Sequence, residues 1–315
     1  MTRIAVCSSI FSRNPILRAE LLAKYPDARF HEDYELLSGE RLSAFIGEAD
    51  KTISALEKFD GSIFAACPNL KVLSKFGVGL NMLNLEDMVT HGVRLGWKGG
   101  VNKRSVAELA LAFMLAALRN MPLCDRNMRA GDTWNRIQGQ ELTGKTVGII
   151  GCGHIGKDLV RLLAPFRCTV LVNDIVSYAD FYAEHGIRPV DLPTLLAEAD
   201  IVTVHTPLNE TTYRLIGRSE LAAMKSTAIL VNTARGGIID EAEMKSALMG
   251  GTLGYGCIDP FEVEPASDSE LLNLPNVITS PHMGASTAQA ALAMGRAAIE
   301  GLEDNRFPDA LWPPR

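Results

Sequence analysis

The segment Gly151-Cys152-Gly153-His154-Ile155-Gly156 has glycine at its first, third and sixth positions and directly follows an apolar run that ends at Ile150. In that setting the first glycine permits a tight turn, the second lets the backbone approach a pyrophosphate, and the third lets helix and strand pack closely. The helix expected to open there and run through Leu163 would point its N-terminus at the phosphates. About 20 residues further on, the run Thr-Val-Leu-Val-Asn-Asp ends at Asp174, where a carboxylate accepts ribose hydroxyls and repels a 2′-phosphate. The pattern predicts a dinucleotide site that prefers NAD to NADP. Three further motifs fall at the ends of predicted strands, where open α/β sheets place their ligands. They are Asn232-Thr233-Ala234-Arg235-Gly236-Gly237, Asp259-Pro260-Phe261-Glu262-Val263-Glu264-Pro265 and Ser280-Pro281-His282-Met283-Gly284-Ala285-Ser286-Thr287. An imidazole, a guanidinium and carboxylates are the groups of proton transfer and charge stabilisation.

The elements that must position these groups alternate along the chain as short β-branched runs and helical stretches, the pattern of parallel sheets built from βαβ units. Before about residue 98 it predicts strands at Ile4 to Ser8, Thr52 to Ala55, Val72 to Phe76 and Val93 to Trp97, with helices such as Pro15 to Tyr25 between them. Ser105 and Glu108 have the spacing of a capping box ahead of the apolar run LALAFMLAAL, which should be a long, largely buried helix. Six buried strands follow, from Lys145, at Thr169 to Asn173, Ile201 to His205, Ala228 to Asn232, Gly254 to Ile258 and Val277 to Thr279. The Ala-rich tail from about Gln289 is expected to be helical and to return to the first domain. The reading is therefore α/β, with a substrate domain over 1–98 and 289–315 and a dinucleotide-binding domain over 99–288.

With these motifs in place, the chain resembles the D-2-hydroxyacid dehydrogenase family over essentially its whole length, most of all its phosphoglycerate dehydrogenase branch. The resemblance implies two doubly wound parallel-sheet domains, a Rossmann NAD-binding domain inserted into a flavodoxin-like substrate domain, with the site in the cleft between them. It implies hydride transfer between NAD(H) and a small 2-hydroxy or 2-oxo acid. His282 would be the acid/base, Glu264 the carboxylate that orients it, and Arg235 the cation that grips the substrate carboxylate and polarises the 2-oxo group. Glu262 is a nearby rival for the carboxylate role, and Pro265 selects Glu264 by the family pattern. Cofactor contacts are implied at Gly151, Gly153, His154, Ile155, Gly156, Asp174, His205, Thr206, Pro207, Thr233, Ala234, Arg235, Asp259, His282, Gly284 and Ala285. Substrate contacts are implied at Lys75, Gly77, Val78, Gly79, Asn102 and Arg235. The chemistry agrees, because reducing a 2-oxo acid puts negative charge on the carbonyl oxygen and so requires a proton donor beside a fixed positive charge.

Lys75, Lys98, Lys103 and Arg104 lie in loops that the family places around its substrate, which suggests a second anionic group such as a phosphate on the substrate. Asn81 and Met82 replace the usual Asp-Asn of the loop after Gly79, and Gly99 stands where proline is common. Phosphite or phosphonate oxidation and an NAD-sensing, corepressor-like binding role are the alternatives within the fold. The short stretch after Thr287 leads the reading to expect no regulatory domain. The helix from Ser105 to Asn120 and the segment Arg129 to Arg136 resemble the family's dimer-forming surface, which implies a homodimer.

Composition narrows the partners. With 31 basic and 37 acidic residues the formal charge is -6, which gives no electrostatic footprint for nucleic acid or an anionic membrane. No apolar run approaches the roughly 20 residues of a membrane span, and a cytoplasmic location is expected. Cys7, Cys67, Cys124, Cys152, Cys168 and Cys257 are scattered singly, without metal-ligand spacing, and read as reduced thiols rather than as disulfides or a metal site.

Overall fold

The computed structural model describes residues 2–308. Near the N-terminus, β1 (Ile4–Val6), β2 (Arg29–Phe30), β3 (Lys51–Ser54), β4 (Val72–Lys75) and β5 (Arg94–Gly96) form one parallel sheet in the order β2-β1-β3-β4-β5. Later in the chain, β6 (Thr146–Ile150), β7 (Thr169–Asn173), β8 (Arg188–Pro189), β9 (Ile201–Val204), β10 (Ile229–Asn232), β11 (Tyr255–Ile258) and β12 (Val277–Thr279) form a second, in the order β12-β11-β10-β9-β6-β7-β8. Every pairing in it is parallel. The first order is the flavodoxin-like one, and the second is the Rossmann order extended by one strand. Each sheet reverses its winding beside its first strand, at β1/β3 and at β6/β9, the switch points where such sheets bind ligands.

The strands form where β-branched residues are continuous because both faces of a parallel sheet are covered. Along β6, β9 and β10, Ile150, Val204 and Leu230 enter one buried cluster while Ile149, Ile201 and Val231 enter another. This is the strand alternation of side chains, with apolar material on both sides. A third cluster around Leu42, Phe59, Phe64 and Leu73 serves the five-stranded sheet.

The chain divides into two units, Met1–Asn102 with Ser286–Arg315 and Lys103–Ala285, so the crossings fall at 102/103 and 285/286 rather than at 98/99 and 288/289. Residues 309–315 of the expected C-terminal segment lie outside the described residues. Two strands escaped the sequence reading, which gave the second sheet six strands in place of seven. Both β2 and β8 are two residues long, lack buried positions, and β8 includes Pro189. The capping-box reading also needs correction. The helix begins at Lys103, two residues earlier than read, so Ser105 lies inside its first turn, and its Oγ donates to Gly284 O at 2.6 Å. Among the described residues no single helix is long and apolar enough to cross a membrane.

Candidate active site

The strand–turn–helix at β6 shows why the glycine motif has its spacing. Gly151 sits at φ +91°, and a Cβ there would lie 2.8 Å from His205 O, so both conformation and space require glycine. A Cβ on Gly156 would fall 2.4 Å from Gly151 O, whereas one on Gly153 would meet nothing within 4 Å. Gly153 thus marks open space over the N-terminus of the His154–Leu163 helix, where unsatisfied backbone N–H groups favour an anion. His154 is exposed and Ile155 half-buried. Partial burial together with Lys103 and Lys157 pushes the His154 imidazole down from its ordinary value.

Asp174 closes the turn from β7. Its Oδ2 accepts from Cys152 N at 2.5 Å and its Oδ1 from Val176 N at 2.8 Å, fixing a carboxylate beside the motif. On the other side of the switch point, His205 Nδ1, Thr206 Oγ1 and Thr233 Oγ1 are enclosed and have no hydrogen-bond partner among the described residues. Buried polar groups are normally satisfied, so three orphans at adjoining strand ends point to a polar ligand. An open helix N-terminus, a fixed carboxylate and these orphans fit a dinucleotide. Pro207 is exposed and its carbonyl accepts from Thr212 Oγ1, while Ala234 is buried and its N–H donates to Asn232 Oδ1.

The loops after β10, β11 and β12 bring the acid/base groups together. A carboxylate can only accept, so His282 Nδ1 donates to Glu264 Oε2, at 3.0 Å. That bond fixes the tautomer and leaves Nε2 as the nitrogen that can exchange a proton. Glu264 Oε1 in turn accepts from Phe261 N at 3.2 Å. Arg235 forms no ion pair within 4 Å among the described residues. Its Nη1 donates to Ala234 O, at 2.6 Å. Burial pushes its guanidinium down, with the Glu264 charge acting the other way. The rival carboxylate Glu262 points elsewhere, accepting from the Tyr213 hydroxyl at 2.9 Å.

Asp259, 1% exposed, is spent on the His282 loop. Its Oδ1 accepts from Ser280 Oγ at 2.5 Å and Met283 N at 2.7 Å, and its Oδ2 accepts from Gly284 N at 2.8 Å. Its carbonyl accepts from His282 N at 3.1 Å. These bonds hold His282 at φ +50°, a left-handed conformation sparsely used by residues with a side chain. The sequence marked Asp259 as a cofactor neighbour and passed over Ser280 and Glu241. Glu241 accepts from Glu262 N at 2.6 Å and so braces the loop that carries Glu264. The position of Ser280 at the head of the Ser-Pro-His motif was the available signal.

In the other unit, Gly77 has φ +125°, Val78 O accepts from Trp97 Nε1 at 3.0 Å, and Gly79 is half-buried. Asn102 is 6% exposed, with Oδ1 lacking a partner among the described residues. The cations expected to bind a second anionic group are largely engaged. Lys75 is 4% exposed and donates to Ala55 O. Lys98 pairs with Glu300 at 3.0 Å and Arg104 with Asp158 at 2.9 Å. Lys103 stands exposed at the start of its helix.

The fold and these residues define a dinucleotide-binding unit with an acid/base pair beside an arginine. Residues 111–284 match the family model described as D-isomer specific 2-hydroxyacid dehydrogenase, NAD binding domain. The chain belongs to the D-isomer specific 2-hydroxyacid dehydrogenase family. It is 36% identical over 282 residues to a D-3-phosphoglycerate dehydrogenase of Archaeoglobus fulgidus, covering 86% of this chain and 52% of that protein. It is 35% identical over 272 residues to a hydroxypyruvate reductase of Thermotoga maritima, covering 84% and 88%. The chain thus spans about half the length of the phosphoglycerate dehydrogenases it matches. Among solved structures, D-2-hydroxyisocaproate dehydrogenase superposes with a TM-score of 0.86 at 26% identity over 96% of each chain.

Proposed function

We propose that this protein is an NAD-dependent dehydrogenase that interconverts a small D-2-hydroxy acid and its 2-oxo acid. The observation that carries the reading is the 3.0 Å contact of His282 Nδ1 with Glu264 Oε2, with Arg235 half-buried within reach of the Glu264 charge and without an ion-pair partner among the described residues. Bound NADH would supply the hydride to the carbonyl carbon. His282 donates a proton from Nε2 to the carbonyl oxygen, or accepts it in the reverse direction. Glu264 holds the ring and balances the imidazolium charge. Arg235 grips the substrate carboxylate, a pairing that guanidinium geometry favours. The Gly151–Gly156 turn, Asp174 and the polar groups of His205, Thr206 and Thr233 hold the cofactor.

The fixed Asp174 carboxylate supports NAD over NADP, since it sits beside the glycine turn, tied to Cys152 N, with charge of the same sign as a 2′-phosphate. The substrate tail we propose is small and carries no second anion. Lys98 and Arg104 are already paired, and Lys75 is turned into the protein toward Ala55 O. The protein acts as a homodimer. The Met121–Arg129 helix buries no residue within this chain and exposes Met121 and Met128, as the nearby Trp134 is exposed at 77%, and these are apolar side chains that a second copy would cover.

NADH-oxidation assays over 2-oxo acids graded in tail size and charge test the proposal. Glyoxylate or hydroxypyruvate is expected to exceed 3-phosphohydroxypyruvate in kcat/KM. A tenfold preference for the phosphorylated acid would reject the tail assignment, and no turnover with any 2-oxo acid would reject the reaction.

A further inference from the structure

The hydroxyl that sequence reasoning assigned to a helix cap serves another purpose. Ser105 lies in the first turn of the Lys103–Leu118 helix and is 7% exposed. Its Oγ donates to Gly284 O at 2.6 Å, across 179 positions of sequence. A serine inside a helix ordinarily turns its hydroxyl back on its own preceding carbonyls, whereas this one reaches a different segment. Gly284 closes the short segment that carries His282, and its own N–H donates to Asp259 Oδ2 at 2.8 Å. A Cβ at Gly284 would meet that oxygen at 3.0 Å and Val106 Cγ2 at 3.5 Å. Gly284 is thus held at both of its polar backbone groups, by Asp259 at the N–H and by Ser105 at the carbonyl, with Val106 against the space a Cβ would fill.

We propose that Ser105 is a positioning residue for His282. It anchors the C-terminal end of the 280–284 loop to the opening turn of the Lys103–Leu118 helix, and so sets the aim of Nε2. Asp259 fixes Ser280, His282, Met283 and Gly284 from one element, β11 and the loop after it. A loop held from one side retains a freedom of rotation about its anchor, and the Ser105 bond supplies the second point that removes it. His282 gains from this constraint because its φ of +50° lies in a region that residues with a side chain use sparingly. A displacement of about 1 Å at a reacting group costs on the order of 10²-fold in rate. The inference rests on the reading of His282 as the acid/base.

The test compares Ser105→Ala and Ser105→Thr with wild type in the full chain, measuring kcat, KM, the deuterium isotope effect on kcat with reductively deuterated NADH, NADH binding by fluorescence, and Tm. Ser105→Ala is expected to lower kcat roughly tenfold and raise the isotope effect, because hydride and proton transfer become slower than product release. NADH affinity should stay within about twofold, and Ser105→Thr, which keeps the donor, should restore most of kcat. The inference is overturned if folded Ser105→Ala keeps kcat and the isotope effect whatever its Tm, or if folded Ser105→Thr loses as much as Ala. Should Ser105→Ala fail to fold, Ser105→Cys keeps the volume with a weaker donor and is read in the same way. His282→Ala is the control: normal turnover there removes the acid/base reading itself, whereas an inactive His282→Ala beside an unaffected Ser105→Ala removes only this inference.

Discussion

His282 meets Glu264 through Nδ1 at 3.0 Å, and the two residues reach each other from loops that follow different strands, β12 and β11. The pair therefore depends on the register of the two strands, which are adjacent and parallel with Ile258 opposite Thr279. His282→Ala should lower kcat by roughly 10²- to 10⁴-fold, the usual contribution of a positioned acid/base. NADH titration should be little changed. Glu264→Gln keeps the shape but removes the charge that balances the imidazolium, and a loss of roughly 10- to 10²-fold is expected. Near-normal kcat in the His282 variant would count against the assignment.

Replacing Asp174 with Ser should weaken NAD and narrow the gap to NADP, because ribose hydrogen bonds and a like-charge repulsion disappear together. The Asp174 carboxylate also ties Cys152 N and Val176 N, so some loss of affinity for both cofactors is expected. The ratio of the two kcat/KM values is the informative quantity. An unchanged ratio would show that specificity is set elsewhere.

Burial pushes His205 down to about 3, although part of the residue reaches the surface. The unfolded chain takes up a proton near the ordinary histidine value of about 6.5, whereas the folded ring stays neutral. Its contribution to stability is therefore present above pH ~6.5 and declines as pH falls toward the folded value. Urea unfolding at pH about 6.5 and about 4.5 should show wild type losing on the order of 1–2 kcal/mol more than His205→Gln. Parallel losses in both proteins would show that the ring protonates without unfolding.

If the Met121–Arg129 helix and Trp134 are covered by a second copy, sedimentation should give twice the chain mass. Trp134→Glu, which places a charge on a residue that is 77% exposed in the single chain, should shift the protein toward monomer by more than tenfold in dissociation constant. A wild-type monomer at micromolar concentration would remove the dimer proposal.

Much of this architecture was readable because it depends on residues whose local chemistry is restrictive. The glycine turn after Ile150 and the buried strand Thr169–Asn173 stand where the sequence puts them, since β-branched continuity and close backbone approach leave few alternatives. Arg235, Glu264 and His282 were legible as motif residues, and their convergence follows from strand order. What stayed hidden was paid in long-range contacts. Ser105 has the local spacing of a cap, and nothing near it in sequence announces Gly284. Lys75 reads as an available cation until β3 brings Ala55 O against it. Strands β2 and β8 pair at the open edge of a neighbour, and two residues without a buried position carry no periodicity.

Asp259 also sets how far this loop can drift under mutation. Its carboxylate takes up three donors, two on one oxygen and one on the other. Asparagine has nearly the same shape, yet its NH2 would face either the Gly284 N–H or the Ser280 and Met283 donors, and no flip of the amide avoids the clash. Glutamate keeps the charge but adds a methylene in a place that is 1% exposed. Each of the two single replacements nearest to aspartate disturbs bonds that hold the 280–284 loop, so change at this residue is coupled to change at Ser280 and in the turn to Gly284.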